Sequence, residues 1–123
     1  MPTEPEPVTL SEVVHRAVQV VDPTGSEGLD DLLERFEDAD EPLSSVQADN
    51  AAQRIAEGIG ALDPQQEDAA VQMAGAVATY LAYRRDAVDE EPGALLAMAA
   101  RAEFDGKPPE NVRSWLLDQG IEL

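Results

Sequence analysis

The sequence predicts an all-α fold: a single-domain bundle of about five to six helices joined by short loops. Three observations carry that expectation. Apolar residues recur at spacings of three and four along most of the chain, the spacing of one helix face. Residues that start and stop helices bracket those stretches, from Thr9 near the beginning to Gly120 near the end. No stretch alternates convincingly enough to be read as a strand. The length of 123 residues suits one domain, which at this size buries roughly two thirds of its unfolded surface. Hydrophobic residues are 43 %, slightly lean, and a net charge of −18 with 4 % aromatics leans toward disorder. The helical periodicity decides for a folded unit over 9–123. Met1–Val8, where Pro and Glu alternate, is expected to be a disordered N-terminal tail.

Each helix has its own justification. Thr9-Leu10-Ser11-Glu12 reads as a capping box opening a first helix over about Leu10 to Val21. Leu10, Val13, Val14, Ala17, Val18 and Val21 form its stripe. Its valines make a strand the competing reading, but the spacing favours helix. Asp22-Pro23-Thr24-Gly25 turns the chain into a second helix over about Glu27 to Asp38, with Leu29, Leu32, Leu33 and Phe36 inward. After Pro42, Ser44 or Ser45 caps a third helix reaching about Glu57. Ala48, Ala51, Ala52, Ile55 and Ile59 are its inner face, and Gly58 and Gly60 suit its end. Asp63-Pro64-Gln65-Gln66 reads as a cap, a first-turn proline and a capping box. The fourth helix should then run from Pro64 to Asp86, the longest, and its alanines and Gly75 suit close neighbours at the centre of the bundle. A fifth starts near Asp89-Glu90-Glu91-Pro92 and buries Leu95, Leu96, Ala99, Ala102 and Phe104. The last spans about Pro109 to Gln119. Gly120 is placed for a left-handed cap, and Ile121 for packing back on Leu116.

Charge and composition exclude several classes. Without cysteine there is no disulfide framework, thiolate metal site or cysteine nucleophile. The longest clean apolar run, Ala94–Ala100, is far short of the ~20 residues that span a bilayer, and Met1–Val8 lacks the features of a signal peptide. No membrane partner is expected, and the location expected is cytoplasmic. A field of −18 repels phosphate, so direct nucleic-acid binding is not expected either. Lys107 is the only lysine among the 8 basic residues. Abundant acids with almost no lysine make a halophilic-like composition, suited to concentrated potassium salt, where screening lengths fall to roughly 3 Å near 1 M. A GC-rich coding bias gives the same excess of Ala, Arg, Asp and Glu.

Few residues suggest chemistry. Glu12 and His15 lie three apart on one helix face, the spacing of carboxylate-bridged metal sites, but His15 is the only histidine. The simpler reading is a wet face shared with Gln19. Asp22 to Leu33 partly matches a calcium-binding EF-hand loop, but its sixth position is Glu27 and its twelfth Leu33, where Gly and a bidentate Glu belong. A turn into a helix explains it as well. Tyr80, Tyr83, Arg84 and Arg85 gather at the end of the fourth helix, where arginines complement the helix dipole or meet an acidic partner. Trp115 is the only tryptophan; with Leu116 it is either core or an anchor for another chain. No catalytic constellation emerges, and no cofactor is expected.

The sequence therefore favours a small acidic helical protein acting by protein–protein contact, as a homodimer, through Tyr80, Tyr83, Arg84, Arg85, Trp115 and Leu116. One alternative is an acidic antagonist or antitoxin-like binder of a basic nucleic-acid-binding protein. Another is a metal-binding helical oligomer using Glu12 and His15.

Overall fold

The computed structural model describes residues 9–25, 28–37, 48–65, 67–84, 87 and 90–121. Among them are six helices and no strand: α1 (Leu10–Val21), α2 (Asp30–Phe36), α3 (Ala48–Leu62), α4 (Ala69–Tyr83), α5 (Pro92–Phe104) and α6 (Glu110–Asp118). The all-α expectation holds. Met1–Val8, Ser44, Ser45, Gln66, Arg85, Asp86 and Asp89 lie outside the described residues, as does the Ala48 side chain.

α4 is the centre. It packs against α1, α3, α5 and α6, while α1 also meets α2 and α5, and α2 meets α3. Its sequence explains the position: Met73 to Ala78 are buried without interruption, as in a helix apolar all round. Every helix contributes a large side chain under 2 % exposed: Leu10, Leu32, Ile55, Met73, Leu81, Leu95 and Leu116. Each such burial is worth about 1.5–3 kcal/mol. α3 and α4 run antiparallel. Gly75 meets Ile59 of the last turn of α3, and the Tyr83 hydroxyl at the end of α4 donates to Asp49 at the start of α3.

α1 matches the expected span, and the Thr9 hydroxyl accepts from the Glu12 N–H at 3.1 Å, half of the expected box. α2 begins later than expected. Gly28 is left-handed (φ 70°), so the helix starts only when the Leu29 carbonyl accepts from Leu32 and Leu33. α3 runs through both glycines to Leu62 rather than stopping at Glu57. Gly58 is there for packing: a Cβ would lie 2.9 Å from the Phe36 ring. On its inner face Ala51, Ile55 and Ile59 are buried, and Ala52 only partly.

The fourth helix begins five residues after Pro64, not at it, and ends at Tyr83. Pro64 instead lies two residues past the end of α3 and helps stop it, because Asp63, the residue before proline, is pushed out of helical space. α4, at 15 residues, equals α3 rather than exceeding it. α5 opens with Pro92 in its first turn, as expected. Ala102 is exposed, a correction: seven residues after Leu95 it falls on the same side of the helix, but it lies in the last turn of α5, past the buried Ala99 and Ala100. α6 ends as expected. Gly120 is left-handed (φ 80°), its N–H bonds the Leu117 carbonyl at 2.9 Å, and the Ile121 N–H bonds Leu116 at 2.9 Å, the two bonds of a Schellman end.

Candidate functional site

The expected contact residues occupy two opposite ends of α4. Tyr83 and Arg84 sit at its C-terminus. Trp115 lies against its N-terminal end, in a recess shared with Leu62, Asp63, Glu67, Asp68, Ala69 and Ala70. Fourteen residues of helix separate those ends by about 21 Å. The structure does not bring the tyrosines and Trp115 together.

At the C-terminal end Tyr83 is 50 % exposed, yet its hydroxyl is held by the Asp49 carboxylate at 2.6 Å. That bond, with burial and the Asp49 charge adding, raises the phenol above its ordinary pKa. Tyr80 is half-buried, and its hydroxyl donates to the Met98 sulfur on α5 at 3.3 Å. Arg84 is exposed and ends the helix, its N–H donating to the Tyr80 carbonyl at 2.8 Å.

At the other end the link between α3 and α4 is organised by two aspartates. Asp63, only 8 % exposed, accepts from the Glu67 N–H at 3.0 Å, the Asp68 N–H at 2.9 Å and the Gln72 side chain at 2.9 Å. Burial alone would raise its pKa, but these three donors outweigh that and lower it. Asp68 caps α4, accepting from Ala70 and Val71. Asp63 is therefore a structural carboxylate, itself buried, that satisfies the N–H groups of the link between α3 and α4. Trp115 is partly buried, and its indole N–H is buried without a hydrogen-bond partner among the described residues. Asn111 ties α6 to the same link through the Glu67 carbonyl at 3.3 Å.

The surface beside Trp115 holds the strongest candidate. Gly106, Lys107, Pro108, Arg113, Leu116, Leu117 and Ile121 line an open groove of about 550 Å³ between the end of α5 and α6. Asp105 and Gly106, both left-handed (φ 53° and 76°), swing the chain so that Lys107 reaches its rim. Arg113 and Leu117 are four apart and share a face of α6. Leu116, expected at a contact, is 1 % exposed and lies in the floor; the leucine at the surface is Leu117, 51 % exposed. Sequence reasoning missed Leu117, Lys107 and Arg113 as a group. The available signal was Leu117 itself, an apolar residue off the Val112–Leu116 stripe. The loop geometry that adds Lys107 had none.

The other expected chemistry is not assembled. Glu12 and His15 are both exposed on α1, where the His15 ring meets Gln19 at 3.3 Å. His15 shares a shallow recess with Glu34 and Glu37 of the α2 end, but no three ligating side chains gather for a metal among the described residues. Asp22 caps the end of α1, its N–H donating to Val18 at 2.7 Å, and Ser26 and Glu27 of the calcium-like loop lie outside the described residues. No described helix is long and apolar enough to cross a membrane. Compared with protein-family models, curated proteins and solved structures, the chain matches none of them.

Proposed function

We propose that this chain is a protein-binding module, with a contact surface at each end of α4 and no reaction of its own. The α6 groove receives a partner protein, and the Tyr83 end pairs two copies into a homodimer. The observation that carries the reading is Leu117: a large aliphatic side chain 51 % exposed at the edge of an apolar-floored groove. Support for the second surface is Tyr83, exposed but oriented by Asp49, so that less side-chain freedom is lost on contact.

Two exposed substitutions test this separately. Light scattering gives the molar mass, and a tagged pull-down at the host's cytosolic salt gives the partner. Tyr83→Ala should halve the molar mass and keep the partner. Leu117→Asp should keep the molar mass and lose the partner. If neither variant moves either readout while the helical circular-dichroism signal persists, the reading is wrong.

A further inference from the structure

The charge around the α6 groove runs against the rest of the molecule. The chain carries 26 acidic residues against 8 basic ones, yet among the described residues the charged side chains lining this groove are Lys107 and Arg113. Both are exposed, and neither forms an ion pair among the described residues. In a chain with so many carboxylates, two cations at one groove, with no described carboxylate lining it, form a local inversion of charge. Between them lie Leu117 and the partly exposed Ile121 and Pro108. The surface thus asks for carboxylates and an aliphatic side chain on one short element.

We infer that the groove binds an acidic amphipathic segment of a partner protein, which seats an apolar side chain on Leu117 and Ile121 while its carboxylates meet Lys107 and Arg113. This rests on the reading of α6 as a contact surface and names the chemistry of what it contacts. It also fixes an unusual salt dependence. At 0.1 M salt the screening length is about 10 Å, and the −18 field of the whole chain opposes an acidic ligand. Near 1 M it is about 3 Å, which removes that long-range repulsion but acts less on pairs in contact, and the apolar contact is undiminished. Binding of the acidic segment to the folded chain therefore strengthens as KCl rises toward about 1 M.

The probe is a fluorescein-labelled amphipathic helical peptide of leucine and glutamate, followed by anisotropy with the full chain. A second peptide carries lysine in place of glutamate. The acidic peptide should bind saturably in molar KCl and more weakly at the lowest KCl concentration at which the helical circular-dichroism signal shows the chain still folded. Arg113→Glu and Lys107→Glu should each weaken it about tenfold, and Leu117→Asp should abolish it. The basic peptide should coat the acidic surface, weaken with salt and ignore all three substitutions. The inference is overturned if the acidic peptide fails to bind in molar KCl, or binds regardless of Arg113 and Lys107. It is also overturned if these substitutions change the molar mass, because a second copy then fills the groove. If Leu117→Asp fails to fold, the two charge reversals decide the matter. A pull-down partner that depends on Leu117, with no binding of the acidic peptide, removes the charge assignment and leaves the contact surface standing. Loss of both removes both.

Discussion

Of the glycines in the bundle, Gly75 leaves the least room for a side chain. An ideal Cβ on it would lie 2.6 Å from the Ile59 Cγ1 and 3.1 Å from its Cδ1. Carbon atoms in good contact sit about 3.5–4.0 Å apart, so α3 and α4 must separate by roughly 1 Å to admit a methyl group. Ile59 cannot swing aside, because Cγ1 is one bond from the Cβ of a β-branched residue with essentially one helical rotamer. Overpacking of this kind costs about 1–3 kcal/mol. Removing a mid-helix glycine gains about 1 kcal/mol. Gly75→Ala should therefore show no net gain and destabilise by up to about 2 kcal/mol, or up to roughly 8 °C in Tm for a chain of this size. Gly60 is the control. It lies within α3 with no atom within 4 Å of an added Cβ, so Gly60→Ala should raise Tm by about 4 °C. Ile59→Ala alone should cost about 2–4 kcal/mol through the cavity it leaves. In Gly75→Ala/Ile59→Ala the two closest atoms are gone, the Cβ of residue 59 lies at 3.6 Å from the new methyl, and the methyl partly refills that space. The double variant should be at least about 1 kcal/mol more stable than the sum of the single effects. Thermal unfolding by far-ultraviolet circular dichroism in molar KCl measures all four variants. A Gly75→Ala variant as stabilised as Gly60→Ala, or strict additivity with Ile59→Ala, would refute the packing argument.

Asp63→Ala removes the acceptor of three donors and should destabilise by about 2 kcal/mol; a loss below about 0.5 kcal/mol in urea unfolding would contradict its structural role. The folded pKa of Asp63 is lowered, so its ionised form contributes stability at neutral pH, and that contribution fades as the pH falls below about 4. The difference in stability between wild type and Asp63→Asn should shrink on acidification over that range, and a constant difference would count against the assignment. Self-repulsion from a net charge of −18 should unfold the chain in dilute buffer and spare it in molar KCl. A helical circular-dichroism signal unchanged between those conditions would disprove this.

What the sequence by itself determined is local. Apolar spacing and caps specify α1 from Leu10 to Val21, the proline start of α5, and the Gly120 end of α6, because these depend on residues within one or two turns. The same local logic placed the start of α4 at Asp63, since Asp-Pro is a good helix opening in isolation. In the fold the carboxylate takes two link N–H groups and Gln72, and Asp68 opens α4 instead. Gly58 and Gly75 carry the same lesson: one looks like a stop signal and the other merely permissive, until Phe36 and Ile59 press on them from other helices. The candidate contact residues were legible one by one, but not their grouping. Tyr83 and Trp115 are separated because α4 stands between them, and Lys107 joins Arg113 and Leu117 because a left-handed turn at Asp105 and Gly106 folds the chain back. Periodicity records which residue faces inward; only packing fixes which surfaces end up side by side, because that depends on contacts between residues far apart in the chain.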